Sequence, residues 1–241
     1  MDIQERLEVE VEVIGDNIFV FYFRNAMDRK CVLKGGPWSF NNALLVLEIP
    51  FGFGDFTNME FRWTTFWIQI HNIPLICMTK QIGIRLGQHI GTVKEIDVGS
   101  SGDCFGKFLQ VRVCIDIQKL LRRALRVKMD GVIEEKTLLL KYERLPEHCY
   151  LCGMVGHSFR ECLQCDQSNF NGDFSTLPYG SWMRATSPGK SRPSLYNRHN
   201  QSSPKQTLLD MAKEFQTLTS TKKGREPAMK MHKTCSPAAI P

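Results

Sequence analysis

Four side chains able to hold a metal ion fall within fourteen residues, Cys149-Tyr-Leu-Cys152-Gly-Met-Val-Gly-His157-Ser-Phe-Arg-Glu-Cys162, spaced C-x2-C-x4-H-x4-C. Two thiolates three residues apart can grip one ion from a tight turn. The two four-residue gaps then bring His157 and Cys162 round to close a tetrahedron, the closed geometry of a structural Zn2+ site. With four protein ligands no coordination position stays open for a substrate, so the ion is expected to be structural and not catalytic. Gly153 and Gly156 fall where so short a loop must turn sharply and accept positive φ. A loop of this size cannot build a hydrophobic core, and the metal is expected to hold it together. The other chemistry open to Cys149-x-x-Cys152 is a redox dithiol, but such pairs start a helix; here Pro146-Glu147-His148 precedes and Gly153 follows. His148 and Cys165 stand just outside the motif and are expected to be bystanders.

The remainder of the 241 residues must position this loop. A 42% hydrophobic content is that of a globular chain, and the length allows one or two domains. The net charge of +6 is unevenly placed: residues 1–162 carry 20 basic and 20 acidic side chains, residues 163–241 carry 11 and 5. That C-terminal stretch is also rich in Ser, Pro, Gln and Asn, which predicts a basic, largely disordered tail at 166–241. Within it Leu208, Met211, Ala212, Phe215 and Leu218 fit one face of a short helix. Apolar runs such as Ala43 to Leu47 are far shorter than the roughly 20 residues of a membrane helix, and Asp2, Glu5 and Arg6 replace a secretory apolar core. No membrane partner is expected, and the location is read as intracellular, nucleus or cytoplasm. Thiols stay reduced there, so nine cysteines do not imply a disulfide framework.

Hydrophobic period places the elements. Residues 8–14 alternate Glu with branched apolar side chains, Gly15-Asp-Asn supplies a turn, and Ile18 to Phe23 is β-branched and aromatic, which together read as a hairpin. Asn25 to Lys34 has helical spacing, with Met27, Cys31 and Val32 on one face, and stops at Gly35-Gly-Pro37. A strand is expected at Ala43 to Ile49, completing a ββαβ unit over 1–56. The second unit, 57–146, reads as a strand at Phe66–His71, a helix at Thr79–His89, strands at 91–98 and 108–117, a short helix or turn at Gln118–Ala124, and strands at 125–129 and 137–142. This order predicts an α+β, ferredoxin-like βαββαβ sandwich. Trp38, Trp63 and Trp67 are expected in the core, and Arg122, Arg123 and Arg126 form a small basic patch more suited to a solvated face than to phosphate.

Asn72-Ile-Pro74, Thr79 and Gly91-Thr-Val give the second unit a resemblance to an RNA-recognition motif. Bases stack on two aromatic positions of the sheet in that family. Here Gln69 and Gln110 take those positions, so the resemblance implies the sandwich and not sheet-mediated RNA binding.

The loop at 147–165 resembles the CCHC zinc knuckle of retroviral nucleocapsids and many plant proteins. The family places an apolar platform for an unpaired base after the first Cys and two residues after the His. Tyr150 and Phe159 occupy those positions, and Arg160 and Arg144 are the candidates for phosphate. Gly15-Asp-Asn-Ile-Phe-Val-Phe, Gly35-Gly-Pro-Trp-Ser-Phe, Phe66-Trp-Ile-Gln-Ile-His-Asn-Ile-Pro, Lys141-Tyr-Glu-Arg-Leu-Pro, the knuckle and Tyr179-Gly-Ser-Trp-Met-Arg-Ala further resemble the successive landmarks of one plant family. It is a domain of unknown function joined to a CCHC knuckle at the N-terminal side of LINE-type retroelement proteins, and the resemblance covers residues 8–185. What it implies is binding of single-stranded nucleic acid, RNA above DNA, without catalysis; no Tyr-x-Asp-Asp or paired-carboxylate motif is present. Family members carry a further strand and helix before the first hairpin. Their lack here predicts an exposed strand edge that favours self-association. The alternative class is a protein-interaction module whose knuckle is only a structural staple.

Overall fold

The computed structural model describes residues 9–15, 17–50, 59–99, 102–128, 135–163 and 173–186. Residues 187–241, with the stretch expected to be helical, Cys165, and residues 51–58 and 129–134 lie outside the described residues, whereas 173–186, expected within the largely disordered tail at 166–241, carry ordered turns at Phe174–Thr176 and Ser181–Met183. The chain divides at Gly35–Gly36 into two compact units, a cut that falls inside the stretch 1–56 read as one unit from sequence.

The first unit holds β1 (Val9–Gly15), β2 (Ile18–Phe23) and α1 (Ala26–Gly35). The two strands pair antiparallel from Val9 opposite Phe23 to Gly15 opposite Ile18, with Asn17 in the left-handed region at φ 61°. Asn25 caps α1, its Oδ1 accepting the Asp28 N–H at 2.8 Å, as short polar side chains do at a helix start. Of the apolar face expected for this helix only Val32 is buried, and Met27 and Cys31 are exposed.

The second unit opens with a small hairpin, β3 (Trp38–Phe40) and β4 (Ala43–Leu45). The single strand expected at 43–49 is therefore shorter and folds back on 38–40. Asn41 and Asn42 both take positive φ, 48° and 64°, which is the demand of a two-residue primed turn and a conformation that Asn tolerates. Next come β5 (Trp63–His71), α2 (Lys80–Gln88), β6 (Thr92–Ile96), β7 (Leu109–Asp116), β8 (Ala124–Val127) and β9 (Lys136–Tyr142). The five strands form one antiparallel sheet in the order β6-β7-β5-β9-β8.

One face of that sheet is the core. Phe66, Ile68, Ile70, Leu109, Val111, Val113, Leu140 and Tyr142 have no exposed surface, and Leu86 of α2 packs in the same cluster. Thr79 caps α2 through its Oγ1, which accepts the Ile82 N–H at 3.3 Å. On the opposite face Glu143 Oε1 accepts from Gln69 and Gln110 at 2.8 and 2.9 Å, and the Arg112 guanidinium lies 5.8 Å from the Trp67 ring. Trp38 is buried as expected, but Trp63 is 53% exposed with Arg62 stacked over it.

The expected βαββαβ order fails at its second helix, because residues 117–123 are not helical. Their backbone groups are committed elsewhere, and a backbone donor or acceptor can be spent only once or twice. The Leu121 N–H donates to Gly153 at 2.8 Å, the Arg122 carbonyl accepts the Tyr142 hydroxyl at 2.7 Å, and the Arg123 carbonyl accepts the Leu140 N–H at 3.0 Å. Asp116, bonded to Arg62, accepts the Gln118 N–H at 3.1 Å and turns the chain at the outset. The fold is thus α+β with antiparallel sheets and few helices. Leu121, Leu125 and the fully buried Met183 join the core cluster there.

Candidate metal centre and the cleft beside it

The knuckle follows β9 directly. Leu145 and Pro146 are buried and deliver the chain to His148 and Cys149. A small ribbon then forms: the Cys149 N–H donates to Met154 at 2.8 Å, the Gly153 N–H to Cys149 at 3.0 Å and the Gly156 N–H to Glu147 at 3.1 Å. Gly153 and Gly156 sit at φ 73° and 97°, as the tight turns require. Ser158 and Glu161 then make a reciprocal capping box over the turn Phe159–Glu161, which hands Cys162 back to the ribbon.

This path gathers the Sγ atoms of Cys149, Cys152 and Cys162 and a ring nitrogen of His157 within 4.8 Å of one another. The His157 Nε2 stands 3.4 Å from the Cys152 Sγ. Sulfurs bound to one zinc at about 2.3 Å would stand about 3.8 Å apart, so the donor set fits the ion in kind and in spacing. Burial pushes the Cys149 thiol above its ordinary pKa and the Cys152 thiol up to about 12, with the adjacent Cys149 thiol adding to the latter. Sulfurs so close together keep their protons until a cation replaces them. The four ligands expected from spacing are therefore the four residues that meet.

His148 does not join them. It is 2% exposed, and its Nδ1 and Nε2 lie 3.4 Å from the Pro146 carbonyl and 3.3 Å from the Gly180 carbonyl. Burial holds its pKa below the ordinary value. The neutral ring then has one N–H to place between those two acceptors.

Gly180 belongs to a segment, Asp173–Thr186, that fastens the knuckle to the sheet. The Tyr179 N–H donates to Tyr150 at 3.0 Å, and the Ala185 N–H donates to Tyr142 at 2.9 Å beside a parallel bridge between Tyr142 and Arg184. Arg123 donates to the Pro178 carbonyl at 2.8 Å and lies 5.8 Å from the Tyr179 ring. It is thereby a docking residue, a role its basic patch did not suggest. A side chain on Gly153 would run into the Tyr179 ring. Met183 fills the core below.

Between knuckle and segment lies an open cleft of about 720 Å³. Tyr150, Phe159 and Arg160 all line it, so three of the four residues expected to meet nucleic acid are brought together. The Tyr150 ring is 5.1 Å from that of His148, and Phe159 meets Phe174 edge-on at 5.8 Å. The fourth, Arg144, does not line the cleft: at φ 51° it turns its guanidinium over the Trp38 ring at 5.6 Å. Phe174 and Arg184 line the cleft without having been expected there. Tyr179–Ala185 was legible as a landmark, whereas Phe174 stands in no motif.

Comparison with known families bears on both ends of this structure. A family model described as "Domain of unknown function (DUF4283)" matches residues 4–49, and one described as "Zinc knuckle" matches residues 115–164, from the end of β7 through the β8–β9 hairpin to the metal loop. The combination of the two is consistent with a protein of retroelement type. No curated protein matches the chain, and no solved structure does.

Proposed function

We propose that this chain is a zinc-dependent binder of single-stranded nucleic acid, RNA above DNA, of LINE-type plant retroelement descent and without catalytic activity of its own. The observation that carries the reading is the convergence of Tyr150, Phe159 and Arg160 on one cleft beside the Cys3His cluster. Cys149, Cys152, His157 and Cys162 would hold the ion, which supplies cross-linking and charge compensation to a loop too small to fold by burial. Tyr150 and Phe159 offer ring surface to an unpaired base, whose faces are accessible only outside a duplex. Three thiolates and a neutral imidazole around Zn2+ leave a local charge near −1, so the knuckle attracts phosphate poorly by itself. The excess of 11 basic over 5 acidic side chains at 163–241 supplies the longer-range attraction. Self-association through a strand edge of the first unit accompanies this role.

The test is binding of fluorescent homopolymeric oligonucleotides over a salt series, with zinc content measured on the same sample. The Tyr150→Ala, Phe159→Ala double variant is expected to keep its zinc and weaken binding about fivefold or more; unchanged affinity would remove the stacking mechanism. The bonding of the knuckle to the 117–123 connection through Leu121–Gly153, and to the 173–186 segment through Tyr150–Tyr179, favours a second reading in which the metal loop is a staple for a protein-interaction module. That reading predicts no nucleic-acid affinity at low salt.

A further inference from the structure

The cleft has two walls, and only one of them belongs to the knuckle. We propose that the segment Asp173–Thr186 is the other half of a single-nucleotide site, in which Phe174 receives the base together with Phe159 and Arg184 meets the phosphate together with Arg160. This rests on the nucleic-acid reading of the knuckle and adds to it two contact residues that the zinc motif does not contain.

Phe174 is 50% exposed, yet it is not loosely held. Asp173 caps its turn, with Oδ1 accepting the Ser175 N–H and its carbonyl accepting the Thr176 hydroxyl, both at 2.8 Å. The edge-on contact of Phe174 with Phe159, at an interplanar angle of 75°, leaves more ring face uncovered than a stacked pair would. Base–aromatic stacking needs such a face.

Arg184 is positioned just as firmly. Its Nε and Nη2 donate to the Leu145 and Pro146 carbonyls, both at 3.2 Å, which fixes the guanidinium plane at the cleft wall. Arg160 is exposed and lines the same cleft, where Glu147 is the one acidic lining residue, so the charged side chains of the lining carry one net positive charge. A volume of about 720 Å³ falls within the range of roughly 300–1,000 Å³ typical of clefts for small-molecule-sized ligands. Aromatic rings beside one held guanidinium, that of Arg184, and an exposed one, that of Arg160, in a space of that size, suit one unpaired nucleotide of a single strand better than a duplex.

The experiment uses the full zinc-loaded chain and a labelled oligouridylate, with affinity measured at several salt concentrations. Phe174→Ala and Phe174→Leu are both expected to weaken binding about fivefold or more with zinc content unchanged. Leu retains the apolar contact with Phe159, so rescue by Leu would reduce Phe174 to a packing role and overturn the assignment. Arg184→Gln is expected to lower the slope of log affinity against log salt by about 0.7, the share of one phosphate contact on a single strand, and Arg184→Lys to restore it. Wild-type affinity and slope in Phe174→Ala and Arg184→Gln, alongside weakened binding in Tyr150→Ala, Phe159→Ala, would overturn this inference and leave the knuckle reading standing. Wild-type binding in all three of these variants would overturn both.

Discussion

Replacing Gly153 by Ala tests the docking of the knuckle through two separable costs. The residue sits at φ 73°, where an L side chain costs about 1–2 kcal/mol. Its new methyl group would also overlap the Tyr179 ring, and overpacking of a filled site costs about 1–3 kcal/mol more. Folding of so small a loop is coupled to its metal, so the sum, about 2–5 kcal/mol, is expected to appear as a loss of zinc affinity of roughly 30-fold to several thousandfold. Competition against a chelator of known affinity reads this directly and does not require the whole chain to unfold in one step. Gly156→Ala is the internal control. That residue is at φ 97° with open space around the new methyl, so only the backbone cost applies and the loss should be nearer tenfold. Adding Tyr179→Ala should recover about 1–3 kcal/mol in the Gly153→Ala background and nothing in the Gly156→Ala background. Additivity of Gly153→Ala and Tyr179→Ala within about 0.5 kcal/mol would mean that the two residues do not touch, and the docked arrangement would be refuted.

Three further outcomes follow from the sheet. Tyr142→Phe removes the hydroxyl that donates to the Arg122 carbonyl at 2.7 Å and is expected to cost about 1–3 kcal/mol, read as a lower urea midpoint with unchanged m-value. Phe66→Ala empties a fully buried position of the core face and should cost about 3–5 kcal/mol by the same assay; a loss below about 1 kcal/mol would place Phe66 outside the core. Burial holds the Glu143 carboxyl above its ordinary pKa, so the protonated form is favoured on folding and that contribution is lost as pH rises through the folded pKa. Glu143→Gln keeps an oxygen acceptor for Gln69 and Gln110 without the charge, and should raise the urea midpoint at pH 7 but not below pH 4; a lower midpoint at pH 7 would contradict this.

The parts of this structure that sequence reveals are those decided locally. The four metal ligands are set by spacing alone, and their meeting within 4.8 Å is what that spacing demands. Strands β2, β5, β7 and β9 are legible because one face of each must carry apolar side chains, as Leu109, Val111, Val113 and Ile115 do in β7. Thr79 marks the start of α2 because its side chain can cap it. What the sequence leaves open depends on distant partners. At Gln118–Ala124 it allows a short helix or a turn, and the chain turns at 117–119 without a helix because the backbone of 121–123 is claimed by Gly153, Tyr142 and Leu140, which no local pattern announces. His148, expected to be a bystander, stays out of the metal cluster, but its place against Gly180, 32 residues later, is set by a distant partner. Arg123 and Met183 similarly acquire their roles only when the segment beyond the knuckle returns to the sheet. Arg144, a candidate for phosphate, does not line the cleft, and its guanidinium lies over the Trp38 ring from a left-handed backbone position.

The most direct test of the central claim is the affinity of the full chain for a labelled single-stranded oligoribonucleotide, measured at one fixed salt concentration before and after zinc is stripped by a chelator and again after it is restored. If Tyr150, Phe159 and Phe174 form a base-binding cleft only when the Cys149, Cys152, His157 and Cys162 cluster is closed on its ion, stripping should weaken binding about fivefold or more, and one equivalent of zinc should restore it. Equal affinity in the loaded and stripped states would contradict the claim and leave the basic tail as the sole source of binding.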